Sequence, residues 1–442
     1  MDDLLIALTQ IMRRNIGGDG AISNFTRLSG GANMESSSFD WAGAGYVLRR
    51  APSAAMMEGR AFGHDVEAQI VRAARHAGVL APQIIGELMA EDNIGTGYIM
   101  ARVAAEVRPD KILAQPPPSL INDIARELAL IHAIAPLAGL PTANTQDMVA
   151  ALKERFIGYG GDRPVMALSL AWLEANIPPP APRVFLHGDF RMGNLMVAAG
   201  GLAAVLDWEL AHSGDAHEDL VWGCVNSWRF GHIDKPAFGV SDLATYWAAY
   251  EAHSGTKVDP VRFLFWLVFR TLWWGLCCLQ MADIWRSGAD RSLERAVIGR
   301  RASETEVDLL MLLEGDAPDG ERGPIARPQI TTTPTSGEPS AAELIDALAN
   351  WVANEIRPTA QGRDRFIASV ALSALSIVKR DGQASVVDEE SVMSKDLLNG
   401  TLTLASPGIL ARLKMGALAK LTIDQPQYSA LAVAIAAWCP DI

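Results

Sequence analysis

Cysteine is scarce in this chain, and what little there is excludes several chemistries. Cys224, Cys277, Cys278 and Cys439 are the four cysteines of 442 residues. They follow no metal-ligand spacing, and Cys277-Cys278 lies in an apolar run. A disulfide framework or a zinc site is thereby disfavoured, and reduced thiols in a cytoplasmic protein are expected. There is no block of lysine or arginine, and the formal charge is −13, so a nucleic-acid partner is not expected. The start, Met1-Asp2-Asp3-Leu4, is acidic and lacks the basic region of a signal peptide. No His-Glu-x-x-His pattern occurs. His212 and His217 are five apart, which is not a helical ligand step, so a metal hydrolase is a poor reading. The most membrane-like stretch, Phe263 to Met281, carries Arg270 near its middle. It reads as a buried helix of a large helical lobe, and no membrane partner is expected. No internal repeat is apparent.

What is present is apolar mass. Hydrophobic residues make up 49% and charged residues 20%, enough for a sizeable core, and the length favours two or three domains. The most informative stretch is His187-Gly188-Asp189-Phe190-Arg191-Met192-Gly193-Asn194, followed by Leu206-Asp207-Trp208-Glu209. Leu195-Met196-Val197 and Leu202 to Leu206 are short apolar runs split by Gly200-Gly201. They read as a β-hairpin that delivers Asp207 beside Asn194. A carboxylate, a carboxamide five residues on and a second carboxylate match the needs of phosphoryl transfer. One group accepts the hydroxyl proton, and two hold the metal that bridges nucleotide phosphates.

The His187–Asn194 segment resembles the catalytic loop of the aminoglycoside phosphotransferase-like kinases. Asp207-Trp208-Glu209 resembles their metal loop, and Gly214-Asp215-Ala216-His217-Glu218-Asp219-Leu220 the segment after it. The resemblance covers roughly the first 70% of the chain. It implies Asp189 as the catalytic base, and Asn194 and Asp207 as Mg²⁺ ligands, with Glu209 as a further candidate. Asp219 is a candidate for fixing the catalytic-loop backbone. The stretches Trp222–Gly231 and Phe265–Trp274 resemble the branch associated with acyl-CoA dehydrogenases. That branch suggests a hydroxyacyl-CoA or another carboxylate-bearing metabolite as acceptor, with Arg229 as a candidate anion contact.

Upstream, the order strand, glycine turn, strand, helix, strands is that of a kinase small lobe. The strand Tyr46-Val47-Leu48-Arg49 follows the turn Gly43-Ala44-Gly45, and Glu67 begins a helix running to His76. The resemblance implies Arg49 on the nucleotide phosphates and Glu67 holding Arg49. Gly30-Gly31 is a turn whose backbone N–H groups can approach phosphate. Met100, on the strand Tyr98-Ile99-Met100, is expected as a further nucleotide contact. Alternation turns Arg50 to the opposite face from Arg49.

Helices are expected at Leu120–Ile134, Gln146–Ile157 and Pro164–Ala175, then at about 217–228, 241–253, 260–284 and 290–314. Thr331 to Gly337 reads as linker. Beyond it, Ser340 and Glu343 form a capping-box pattern, and helices are expected at Arg363–Arg380 and Ser429–Trp438. This tail resembles a small all-helical domain of unknown function and holds no catalytic constellation. It is expected to dock a partner or support a homodimer. The expected fold is α+β, a two-lobe kinase-like domain with a C-terminal helical domain. The divisions fall at 1–103 (small lobe), 104–315 (large lobe), 316–337 (linker) and 338–442. The expected activity is ATP-dependent phosphorylation of a small-molecule hydroxyl with Mg²⁺, GTP being a second candidate donor. Absence of an Asp-Phe-Gly and Ala-Pro-Glu segment argues against a protein substrate. The alternative is a non-catalytic, nucleotide-binding pseudokinase, which intact Asp189, Asn194 and Asp207 disfavour.

Overall fold

The computed structural model describes residues 2–28, 34–135, 137, 139–290, 292–328, 341–381 and 389–440. Two compact units emerge. The first comprises 1–143, 181–224 and 228–259, the second 144–180, 225–227 and 260–442.

The first unit is built on a five-stranded antiparallel sheet. Its strands are β1 Ser23–Arg27, β2 Glu35–Trp41, β3 Ala44–Ala51, β4 Ile84–Glu87 and β5 Thr96–Ala101, ordered β1-β2-β3-β5-β4. Alternation sets the inner face: Ser37, Phe39 and Trp41 of β2 are buried while their neighbours are half-buried. Phe39, Trp41, Leu48 and Ile99 meet Leu8, Ile11 and Met12 of the first helix, Asp2–Asn15. That helix was not expected, although Leu4, Leu5, Leu8, Ile11 and Met12 follow the helical period that finds it. The helix His64–His76 contains the expected 67–76 span and buries Glu67, Ile70, Val71 and Ala74.

Two further strand pairs position the chemistry. β6 Val184–Leu186 pairs with β9 His212–Gly214, and β7 Leu195–Ala198 pairs with β8 Gly201–Val205 as the expected hairpin. The helix Leu120–His132 lies against β6, β8 and the helix Leu243–Ser254. Its buried Glu127 accepts the Leu80 N–H at 2.7 Å, and His132 Nδ1 lies 2.7 Å from Tyr250 Oη.

The second unit is helical. The helix Pro260–Ser287 is 28 residues long, and 72% of its most apolar stretch is buried. Length and composition alone would let it cross a membrane; its burial gives it the role of a core helix. The expected single helix at 290–314 is two, Leu293–Arg300 and Ala302–Leu313, joined at Arg301. Arg301 turns back to pair with Glu304 at 2.9 Å. Within this unit the C-terminal helices Glu389–Leu398 and Ile409–Asp424 pack on Pro164–Ala175 and Ala302–Leu313 respectively. The compact units therefore follow a partition other than 104–315 and 338–442. The helix Ser429–Trp438 falls where expected, and the expected 363–380 helix is Gly362–Asp381. Ser340 and residues 329–337 of the expected 316–337 linker lie outside the described residues.

Candidate active site

The site lies wholly in the first unit and grows from the loop after β6. Gly188 has φ +81, and a Cβ there would meet the Leu210 carbonyl oxygen at 2.1 Å, so only glycine lets the loop turn. Asp219 fixes it from below. Fully buried, it accepts the N–H of His187 at 2.6 Å and of Gly188 at 2.8 Å. Burial alone would raise this carboxyl, but hydrogen bonding and charge from His132 outweigh it and bring the pKa down to about 2. His187 Nδ1 accepts the Asp189 N–H at 3.1 Å. Its Nε2–H must then be the donor to the Leu206 carbonyl at 3.0 Å. The ring is neutral, and complete burial pulls its pKa below the ordinary value.

Asp189 is held by three donors. Asn194 Nδ2 donates to its Oδ2 at 2.6 Å and to its carbonyl at 2.9 Å. Trp222 Nε1 and Arg191 Nε donate to its Oδ1 at 2.5 and 2.8 Å. A carboxylate offers about four lone-pair sites, so Oδ2 keeps a place for an incoming hydroxyl. The same orientation leaves Asn194 Oδ1 as an acceptor. Leu206 N donates to the Asn194 carbonyl at 2.8 Å, which sets Asp207 next in line, as the hairpin reading expected. Asp207 has φ +66, a left-handed conformation that a non-glycine residue holds at a cost of the order of 1–3 kcal/mol. Such strain is typical where a side chain must be aimed.

Arg49 stands on β3 directly opposite Tyr98 of β5. Its Nε lies 3.3 Å from Glu67 Oε1, and Tyr98 Oη donates to the same oxygen at 3.0 Å. Arg49 Nη2 reaches Asp207 Oδ1 at 2.7 Å and Glu209 Oε2 at 2.5 Å. Thus Arg49, Glu67, Asp207 and Glu209 form one network, in which Glu67 is buried and the other three are half-buried. Burial disfavours charge on Asp207, but Arg49 and then Arg191 more than compensate, and it stays ionised. Glu209 is pushed up by burial and by Asp207 beside it. Asp207 and Glu209 present carboxylate oxygens to one cation, and these hard donors, like the amide oxygen of Asn194, are of the kind a divalent ion takes. Arg50 turns away as alternation requires and pairs with Glu35 at 2.9 Å.

Gly30 and Gly31 lie outside the described residues. Met100 is half-buried on β5, paired with Val47. Arg229 folds back, both Nε and Nη2 donating to the Cys224 carbonyl, which occupies the face expected for a substrate anion. Asp215 caps the helix Ala216–Trp222, accepting the His217 N–H at 3.0 Å.

Four residues were missed. Arg60 pairs with Glu209 at 3.0 Å, although the two are 149 residues apart. Trp222 stood only within a stretch resembling the acyl-CoA dehydrogenase-associated branch, with no role of its own. Arg191 was visible within the loop motif but given no role. His64 was also overlooked. Its Nδ1 lies 3.0 Å from Thr96 Oγ1, and burial, followed by the charges of Arg49 and Arg60, holds its pKa at about 4.

A family model described as "Phosphotransferase enzyme family" matches residues 24–259, more than half of the chain. The chain belongs to that family. It is 27% identical over 238 residues to acyl-CoA dehydrogenase family member 10 of Mus musculus, covering 49% of this chain. It spans only 22% of that relative's length. Among solved structures, a Ralstonia eutropha protein carrying an aminoglycoside phosphotransferase designation superposes with TM-score 0.53 at 23% identity. The match covers 68% of this chain and 95% of that one. That likeness fixes the fold as the kinase-like α+β class of this phosphotransferase family, with an additional helical C-terminal region.

Proposed function

We infer that the chain moves the γ-phosphoryl group of ATP to a hydroxyl of a small molecule, and that the acceptor is a hydroxyacyl-CoA or a related hydroxy acid. The observation that carries the reading is the coupling of two constellations. Asp189 is locked to Asn194 at 2.6 Å, and Arg49 is locked between Glu67 and Asp207. The first is a proton acceptor beside a metal-binding amide. The second is a fixed cation beside a metal-binding carboxylate. The relation to an acyl-CoA dehydrogenase family member, together with the aromatic stretches around Trp222 and Trp266, supports the acyl part of the reading.

Asp189 Oδ2 accepts the acceptor hydroxyl's proton and orients its oxygen in line with the phosphoryl group. Asn194 and Asp207 would hold Mg²⁺, with Glu209 next to them. A Mg²⁺ held there would offset the charge of the nucleotide phosphates. Arg49, always charged, steadies the nucleotide phosphates, and Glu67 with Tyr98 keeps it pointed. Asp219 keeps the loop's backbone in place while Asp189 works.

The experiment is a panel of hydroxylated metabolites incubated with the full chain and ATP-Mg, followed for ADP and phosphorylated product. Asp207→Ala is the control. We expect it to stay folded and to lose Mg-dependent nucleotide binding and turnover. A surface acid would shift stability by no more than about 0.5 kcal/mol and leave turnover alone. Unchanged turnover in Asp207→Ala refutes the kinase reading.

A further inference from the structure

One cation beside the base has a geometry that its pairing with Asp189 does not exhaust. Arg191 donates through Nε to Asp189 Oδ1 at 2.8 Å and through Nη1 to the Met192 carbonyl at 3.1 Å. Among the described residues, no acceptor is paired with Nη2. The guanidinium carbon sits over the Trp228 ring, 4.0 Å from its centroid, a cation–π contact. The loop makes room for it: Gly193 has φ +101, and a Cβ there would lie 2.9 Å from Arg191 Nη1. The side chain keeps 21% of its surface exposed.

The two oxygens of Asp189 divide the site. Oδ2 faces Asn194 and hence the metal side, while Oδ1 faces Trp222 and Arg191. A hydroxyl served by Oδ2 therefore sits on the same carboxylate as Arg191, which is held on Oδ1. Arg229, the other arginine on this side, is committed to the Cys224 carbonyl. A planar guanidinium clamped by a carboxylate and an indole, with one edge open, is preorganised for an oxygen acceptor.

We propose that Arg191 is a specificity-determining residue that holds an acyl oxygen of the acceptor, a carboxylate or a thioester carbonyl, a few carbons from the hydroxyl served by Asp189. The inference rests on the phosphotransfer reading above and adds the residue that selects the acceptor. A polyol or amino sugar without an acyl oxygen leaves the Nη2 edge without its partner, and the site discriminates against it.

The test uses the full chain with ATP-Mg and three probes: 4-hydroxybutyrate, its CoA thioester and 1,4-butanediol. The expected result is that an acyl compound is phosphorylated with kcat/KM on the order of 10²-fold above the diol, the scale of a charge-assisted hydrogen bond. Preference between free acid and thioester says which acyl oxygen is read. Arg191→Met should raise the KM for the better acyl probe by a similar factor with a smaller change in kcat, and Arg191→Lys should recover part of the loss. The wild-type comparison is decisive even if the Met variant fails to fold. Equal use of the diol overturns the proposal, as does an unchanged KM in Arg191→Met. So does failure of all three probes in a protein that binds ADP-Mg by calorimetry. Absence of ADP-Mg binding sinks the phosphotransfer reading itself, and the two failures are thereby told apart.

Discussion

Asp189→Asn separates the base from its scaffold. The amide keeps one oxygen to accept from Trp222 and Arg191, but its NH₂ then faces the Asn194 NH₂ that now donates to Oδ2. One donor loses its acceptor, a local cost of about 1–3 kcal/mol, and the proton acceptor is gone. Turnover should fall by on the order of 10²–10⁴, the usual contribution of a general base. ATP affinity should change little, because Asp189 contacts none of Arg49, Glu67 or Asp207. Steady-state rates with nucleotide titration check this. A paired loss of ATP affinity would make Asp189 a metal ligand, and full activity would put the base elsewhere. At this scale the sequence was legible where chemistry is local. Asp189, Asn194 and Asp207 are joined by a five-residue loop and a hairpin, and the structure keeps them so. Arg60 and Trp222 were not legible because long-range folding brings them in. Nothing near Arg60 in sequence points to Glu209, and an indole donor looks like any other core tryptophan. Arg229 failed for the opposite reason: a carbonyl five residues away satisfies it, and no side-chain pattern reports a carbonyl.

The element that closes the site from behind is β9 with the helix Ala216–Trp222, and its link is titratable. His212 Nε2 lies 3.2 Å from Glu218 Oε2, and its Nδ1 2.8 Å from the Leu210 carbonyl. Burial pulls this imidazole down, but the Glu218 carboxylate and both hydrogen bonds outweigh it, and the pKa rises to about 8. A folded pKa above the unfolded value of about 6.5 means that protonation favours the native state. The contribution is fully present below about pH 6.5 and is lost as pH rises through 8. A shift of this size is worth about 2 kcal/mol at 1.36 kcal/mol per unit. Chemical denaturation at pH 6 and pH 9 should show that difference, and His212→Gln should remove most of it. An equal pH slope in His212→Gln assigns the dependence to another group. The same element shows how helix type and helix ends differ in legibility. The expected 217–228 helix stops at Trp222, because the chain must turn to bring Trp228 beneath Arg191. The break of 290–314 at Arg301 comes two residues after Gly299, where an added Cβ would meet Ala282 Cβ at 2.8 Å. It is set by packing, which sequence period alone does not carry.

On the scale of the whole chain, the linker-like composition before residue 341 suggests a cut that frees two folded pieces, and the packing inside the second unit argues otherwise. Ile325 N donates to the Trp438 carbonyl at 2.7 Å, so the chain before the cut is tied to its last helix. Glu306, fully buried, is held by Arg163 at 2.5 Å from one side and by Lys420 of the C-terminal helix Ile409–Asp424 at 2.6 Å from the other. Lys414 of the same helix is 2% exposed, paired with Glu314 at 2.6 Å and set over the Trp438 ring. Tyr428 Oη donates to Asp308 Oδ2 at 2.6 Å. Removing residues 341–442 strips Glu306 of one of its two counterions and uncovers the buried leucines of Ala302–Leu313. Breaking one buried ion pair typically costs about 3–5 kcal/mol, comparable with the net stability of a domain. Proteolysis within 329–340 should therefore yield two fragments that still co-elute on size exclusion and separate only in denaturant. A chain ending at 328 and expressed alone should aggregate or melt well below the full protein. Fragments that part without denaturant, or a truncated chain with the full protein's melting temperature, would show that the tail is a free-standing domain and that the Glu306 and Lys414 pairs contribute little.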